Sequence, residues 1–363
     1  MSILQNLGYL ALGGIGIGLL CVALIDGSSK GLYGIYNIGN TCFLNSLLQA
    51  LGSCKSFRDY IKNLHPKAHS AEDSDAIIVK HLRKVILSLQ TATETVDPRS
   101  LISSLSLKFP IYGDQHDPHE IFYTILESLS NIQLRAMHSF CPPKQENPLF
   151  LVTSSQVVCK SCGYCSLNLA TEYDLTLSIS RSLSSSLGSV ASVDHLSDLV
   201  CMNCSIESSL ELLESKGIHA LASNLKELKV NPYLAEEEDL VIKERREASM
   251  LRKVARLPRL LCFHLNRLVN EMGLPVKNNS FLQFPKKLRV GKDILLQKTQ
   301  EVEYELKAVI EHLGGSSSGH YVTYKLEDST WLRCSDDKVA KVPLNEVLNA
   351  QAYMLFYESS FGQ

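Results

Sequence analysis

The chain lacks an excess of charge of either sign: 36 Lys and Arg stand against 38 Asp and Glu, a formal net charge of -2. A general nucleic-acid binder carries a basic surplus, so that class is excluded. An even cysteine count is missing too. Eleven cysteines, four of them in two CxxC pairs, do not form the paired framework of a secreted disulfide protein, and a reducing compartment fits them better. No internal repeat is present. Between Met1 and Ile25 there is no charged residue at all. That stretch also lacks the basic start and the small-residue cleavage site of a signal peptide.

What the N-terminus does have is length and apolarity. Leu7 to Ile25 is almost wholly apolar, and its nineteen residues would span about 28 Å as a helix, close to the hydrocarbon thickness of a bilayer. Residues 1–25 are therefore predicted to be a single uncleaved transmembrane anchor that meets the lipid through residues 7–25. Gly14 and Gly18 form a small-residue pair of the kind that lets helices pack closely. Residues 26–30 (Asp-Gly-Ser-Ser-Lys) make a short polar linker, and Lys30 favours a cytosolic side for the residues after it. The chain is 45% hydrophobic over 363 residues, enough for one large packed domain or two ordinary ones.

One stretch organises the remainder. Gly31 to Thr41 is rich in glycine and asparagine, as a turn is, and Phe43, Leu44, Leu47, Leu48 and Leu51 then recur at helical spacing. With Asn40 or Thr41 as N-cap, Cys42 falls in the first helical turn. Free amides and the helix dipole there favour a thiolate, so the Cys42 pKa is expected to be lowered. Asn37 on the turn could aim its amide at the same spot. With the Cys42 backbone N–H it would form an oxyanion hole for acyl transfer.

The run Asn37-Ile-Gly-Asn-Thr-Cys42-Phe-Leu-Asn-Ser-Leu-Leu-Gln49 resembles the cysteine box of the ubiquitin-specific proteases. Gly113-Asp-Gln-His-Asp-Pro-His-Glu-Ile-Phe122 resembles that family's QQDAHEF segment, with Gln115, Asp117, His119 and Glu120 matching and Pro118 in place of Ala. Proline suits a first helical turn. Helix capping and internal hydrogen bonds are expected of the His and carboxylates here, rather than a metal.

Cys159-Lys-Ser-Cys162 and Cys201-Met-Asn-Cys204 supply four soft thiolates in two knuckles, the requirement of a closed structural zinc site. One zinc ion on Cys159, Cys162, Cys201 and Cys204 is expected, with Cys165 left over and no catalytic cofactor. This block is similar to the family's zinc-ribbon fingers, which hold the globular body of ubiquitin. Glu172 to Ile179 alternates like a half-buried strand, and the serine-rich run Arg181 to Ser192 reads as a loop. Leu260 to Leu265, within a segment that looks like the family's LPxxLxxHLKRF strand, reads as a strand with one buried face, and His264 as structural. Lys277 to Leu288 is expected to form the next strand.

In the last third, Tyr304 to Ile310 alternates as a strand, Glu311 to His320 reads as a flexible glycine- and serine-rich loop, and the next strand begins at His320. A histidine at such a junction suits a general base for a distant thiol, and His312 and His320 are both candidates. The context GHYVTY resembles the family's catalytic-histidine box and selects His320. Trp331-Leu-Arg-Cys-Ser-Asp-Asp-Lys-Val339 resembles its WxxFDDxxV strand-turn, where the third catalytic residue is the first Asp or Asn; here that position is Ser335. A serine hydroxyl still fixes the imidazole tautomer but brings no full charge. Asp336 could add a negative charge nearby. Val342 to Tyr357 is expected to close the sheet.

The resemblance implies an α+β, papain-like cysteine protease with thumb (about 31–145), palm (about 256–358) and zinc-ribbon fingers (about 150–255), preceded by a transmembrane helix. It implies a deubiquitinase that hydrolyses the isopeptide bond at the C-terminal glycine of ubiquitin, with Cys42, His320, Ser335 and Asn37 in its site. The serine at 335 together with the apolar N-terminus resembles the branch anchored in the mitochondrial outer membrane, facing the cytosol, which opposes mitophagy. Two rivals are an inactive, membrane-tethered ubiquitin-binding scaffold and a general papain-like peptidase. The second gives no reason for a zinc ribbon.

Overall fold

The computed structural model describes residues 32–64, 73–111, 113, 115–137, 146–228, 241–271, 274–291, 293–297, 301–315 and 318–360. The predicted anchor and the linker at 26–30 lie outside the described residues. Among the described residues, no helix is long and apolar enough to cross a membrane.

Five helices come first: α1 (Cys42–Ser53), α2 (Lys55–Asn63), α3 (Ser74–Thr91), α4 (Arg99–Leu105) and α5 (Pro118–Met137). Strands β1 (Leu151–Cys159), β2 (Cys165–Glu172) and β3 (Leu175–Ser178) follow, then α6 (Leu183–Val190), β4 (Val193–Val200), α7 (Met202–Ser215), α8 (His219–Leu228) and β5 (Arg245–Arg256). The rest is β6 (Leu260–Asn266), β7 (Leu268–Glu271), β8 (Leu274–Lys277), β9 (Lys287–Val290), β10 (Val302–Gly314), β11 (Gly319–Glu327), β12 (Thr330–Ser335), β13 (Lys338–Val342), α9 (Leu344–Leu348) and β14 (Ala352–Ser359). Helices and mainly antiparallel sheets are segregated, which makes the fold α+β.

β1, β2, β4 and β5 form a four-stranded antiparallel sheet in the order β2-β1-β5-β4. The larger sheet runs β13-β12-β11-β10-β14-β6-β3, with β9 added against β10. Apolar residues of α1 to α5, among them Phe43, Leu47, Phe57, Leu82, Ile86 and Phe122, pack with Cys262, Ile310, Met354 and Phe356 of the large sheet in one core. A second core lies on the sheet's opposite face, around Phe263, Leu265, Val309, Leu355 and Tyr357.

Those two cores correct the expected edges. β6 is buried on both faces up to Phe263, because β14 and β3 flank it and each face meets a core. β14 does not close the sheet but sits between β10 and β6; its six consecutive buried residues from Ala352 to Tyr357 are the mark of a central strand. The serine-rich run is not a loop: Ser182 caps α6 by accepting the Ser185 N–H at 3.2 Å, and Leu183 and Leu187 turn the same face into the second core. Lys277 to Leu288 is not one strand. The guanidinium of Arg267 donates to the carbonyls of Asn278 and Ser280, at 2.9 Å each, so those acceptors are occupied outside any ladder.

The expected loop before His320 is mostly hairpin. β10 continues to Gly314 and pairs with β11 through His312–Tyr321, Leu313–His320 and Gly314–Gly319. The Lys277 ammonium donates to the carbonyls of His312 and Gly314, both at 2.8 Å, and fixes the strand end.

Candidate active site

The turn before α1 is set by two successive left-handed residues, Gly39 (φ 67°) and Asn40 (φ 58°), the residue types that accept this region at least cost. Asn37 Oδ1 accepts the Thr41 N–H at 3.0 Å, and Thr41 Oγ1 accepts the Ile38 N–H at 2.9 Å. The chain then enters α1 at Cys42, which is 1% exposed. The helix lies along β11, where the Thr323 hydroxyl donates to Ser46 O at 2.7 Å.

That packing joins the two halves of the predicted site. The backbone amide of Tyr321, the residue after His320, acts to lower the pKa of the Cys42 thiol and so lies on its side of β11. His320 Nε2 lies 2.9 Å from Ser335 Oγ. The carboxylate of Asp336 is farther from the same nitrogen, at 3.9 Å. β11 and β12 pair as far as Thr323–Cys334, so Ser335 falls at the end of β12 beside the imidazole.

Asp336 stands at φ 53° in the turn between β12 and β13, and its carboxylate faces the cysteine-bearing segment. One oxygen accepts from Asn37 Nδ2 and the other from Asn45 Nδ2, each at 2.8 Å. Its carbonyl takes the Ile35 N–H at 2.9 Å. A Cβ at Gly34 would fall 2.1 Å from that carbonyl, so the approach requires glycine.

The thiol departs from expectation. Burial pushes the Cys42 pKa up; the Tyr321 amide opposes the shift and the charge of Asp336 adds to it, and the net result is raised. Loss of water outweighs the helix terminus, because a buried sulfur stabilises its anion less than an exposed one does.

The segment leading into α5 packs against β14 and the residue before β3, next to this site. Asp117 caps the helix by accepting the His119 N–H at 2.8 Å, and its other oxygen takes the Tyr353 hydroxyl. His119 Nε2 meets the buried Asp174 at 3.0 Å, and its ring stacks on His264 with centroids 3.7 Å apart. The nitrogens of His264 are occupied by hydroxyls, Thr176 at 3.2 Å and Tyr353 at 3.1 Å. Burial, reinforced by His119, lowers its pKa to about 4 and keeps it neutral. The ligating atoms of His119, Asp174 and His264 come within 4.8 Å of one another, yet His119 Nε2, both nitrogens of His264 and both oxygens of Asp174 already have protein partners, as in a structural network. His312 is half-buried: desolvation, then the charge of Lys277, lowers its pKa to about 4, and its ring fills the space beneath Gly319.

At the end of β1 and the start of α7, Cys159, Cys162, Cys201 and Cys204 place their sulfurs within 4.8 Å of one another. The pairs Cys159–Cys204 and Cys162–Cys201 stand at 3.9 and 3.6 Å. A tetrahedral zinc with sulfur ligands at about 2.3 Å has sulfur–sulfur edges of about 3.8 Å, so the donor set fits a closed structural site. Gly163 at φ 71° donates its N–H to Cys159 O at 3.0 Å and closes the first knuckle. Cys165 is exposed and accepts from Gln156 Nε2 at 3.2 Å, outside the cluster.

Two contributors were not read from the sequence. Asn45 is 2% exposed on a leucine-rich helix three residues after Cys42, and a buried amide of that kind signals an unseen partner. The Tyr321 N–H had no signal, since a backbone group leaves no trace in residue type.

The sequence profile of the family described as ubiquitin carboxyl-terminal hydrolase matches residues 33–357. Among curated relatives, ubiquitin carboxyl-terminal hydrolase 30 of Xenopus tropicalis is 25% identical over 91% of this chain and 81% of its own length. The human protein of that name is 26% identical, over 91% and 84%. Human ubiquitin carboxyl-terminal hydrolase 2 is 24% identical over 91% of this chain, which spans 56% of that relative. Among solved structures, the SAGA Ubp8/Sgf11/Sus1/Sgf73 DUB module bound to ubiquitin aldehyde superposes with a TM-score of 0.67, at 21% identity, over 92% of this chain and 70% of the matched one. The same module bound to monoubiquitin gives the same values. With the profile covering nearly all of the described residues, this chain belongs to the ubiquitin carboxyl-terminal hydrolase family and is a cysteine-type ubiquitin hydrolase.

Proposed function

We propose that the chain is a membrane-anchored deubiquitinase that removes ubiquitin from lysines of proteins at the mitochondrial outer membrane, with its catalytic part in the cytosol, and so opposes mitophagy. The observation that carries the chemistry is the contact of His320 Nε2 with Ser335 Oγ at 2.9 Å, on the strand end that packs along the cysteine helix.

Ser335 engages Nε2 and leaves Nδ1 of His320 to accept the thiol proton. The sulfur attacks the carbonyl carbon of ubiquitin's terminal glycine. The Cys42 N–H and the second hydrogen of Asn37 Nδ2, whose first is given to Asp336, stabilise the oxyanion. The C–N bond breaks as His320 returns its proton to the departing lysine amine. His320 then deprotonates water, which cleaves the thioester to a carboxylate and restores the thiol.

Ubiquitin as the bound partner is supported by the fold's likeness to a module solved with ubiquitin aldehyde. Zinc would be held by Cys159, Cys162, Cys201 and Cys204 and would staple β1 to α7 without taking part in the reaction. Anchoring through residues 7–25 is supported by the uncharged apolar stretch, and the choice of membrane by the resemblance carried by Ser335.

The test is a ubiquitin derivative with an electrophile at its C-terminus. A covalent adduct that disappears in Cys42→Ala is expected. No adduct in the native chain would leave the inactive ubiquitin-binding scaffold as the reading.

A further inference from the structure

Gln115 lies on the segment between α4 and α5, and its carboxamide makes two hydrogen bonds to one residue 204 positions away. Nε2 donates to Gly319 O at 2.5 Å, and Oε1 accepts the Gly319 N–H at 3.1 Å. This is the exchange a neighbouring strand would make. β12 pairs with β11 only from Thr323 onward, so in β11 the backbone edge at Gly319 is left to this side chain.

Gly319 immediately precedes His320 and is confined on its other side. A Cβ there would lie 2.1 Å from His312 Nε2 and 2.4 Å from Leu313 O. Gln115 therefore presses a bare backbone against a wall of the hairpin. Its own segment is tied to the cysteine side: Asn40 Nδ2 donates to Gly113 O at 3.3 Å, and the His116 ring meets Phe43 edge-on at 5.4 Å. One short segment thus touches the turn that presents Cys42 and the residue that presents His320.

We propose that Gln115 is a positioning residue for the reaction, holding the backbone at Gly319 so that the His320 imidazole stays in register with the Cys42 sulfur. This rests on the catalytic roles proposed for Cys42 and His320. An acid–base group displaced by about 1 Å loses much of its rate advantage, so a lost clamp is read in turnover rather than binding.

The experiment is steady-state hydrolysis of a C-terminal ubiquitin fluorogenic amide by the full chain and by Gln115→Leu and Gln115→Glu, with thermal melts as a fold control. Gln115 is exposed, and unchanged melts are expected. Gln115→Leu should lower kcat about tenfold at unchanged KM. Gln115→Glu keeps the acceptor but, ionised, cannot donate to Gly319 O. Its kcat relative to the native chain should be as low as that of Gln115→Leu from pH 8 down to pH 6, where an exposed carboxyl stays ionised. A rise in KM alone would make Gln115 a substrate contact, and a gain in kcat/KM would make it a gate; either overturns the proposal, as does a native kcat in Gln115→Leu. An inactive native chain would instead overturn the catalytic roles themselves.

Discussion

The carboxylate of Asp336 accepts a hydrogen bond from the carboxamide of Asn37 at 2.8 Å, across 299 residues of chain. The same carboxylate holds Asn45 and lies 3.9 Å from His320 Nε2. Asp336 thus binds the segment that presents the nucleophile to the turn just after Ser335. Its charge disfavours a thiolate at Cys42, so the contact that ties the two segments together also raises the thiol.

The thiol is raised by burial and then by Asp336. Alkylation of Cys42 by iodoacetamide, followed on its own peptide by mass spectrometry, should accelerate with pH and reach its midpoint above that of an ordinary thiol. Asp336→Asn removes a negative charge beside the sulfur, so its midpoint should move to lower pH. An unmoved midpoint would show that the charge does not reach the sulfur.

Ser335 touches His320 Nε2 directly, whereas Asp336 does not. Ser335→Ala should lower kcat about tenfold, the size of one lost orienting hydrogen bond at a catalytic base. Ser335→Asp should retain or raise activity, because it restores both an acceptor and a charge. Full activity in the alanine variant would remove Ser335 from the catalytic set.

Burial lowers the His264 pKa to about 4 from 6.5. Between those values the unfolded chain takes up a proton that the folded one refuses. The contribution is whole above pH 6.5 and is lost as pH falls toward 4, by about 3 kcal/mol. Urea melts at pH 7 and 4.5 should differ by less in His264→Gln than in the native chain. Equal differences would place the acid sensitivity elsewhere.

Metal analysis of the purified chain should return one zinc per molecule. Cys204→Ser should lose it and destabilise the four-stranded sheet, while Cys165→Ser, outside the cluster, should keep it. Retention in Cys204→Ser would point to another ligand set.

Deleting residues 1–25 should release a soluble chain with hydrolytic activity intact. Persistent association with membranes would locate the anchor elsewhere.

The helices were legible where a single periodicity governs a segment. Leucines at helical spacing placed α1, and a glycine–asparagine pair placed the turn before it. Strand positions in the large sheet were less so. β6 and β14 have apolar residues on both faces, and no period tells a central strand from a closing one. The serine run hid α6, because the two leucines that seat it have meaning only against the second core.

By itself, the sequence determined the local chemistry: a thiol at a helix start, two cysteine knuckles, a histidine at the head of a strand, and a serine where a carboxylate is usual. The first three are written in the spacing of neighbouring residues, and the serine is read from the resemblance of its segment to the family's. The tertiary structure alone decided that Asp336 grips Asn37 and Asn45, that Gln115 reaches Gly319, and that the Cys42 thiol is raised rather than lowered. Those outcomes depend on which surfaces meet and how much water they expel, and residues hundreds of positions apart do not record that in their order.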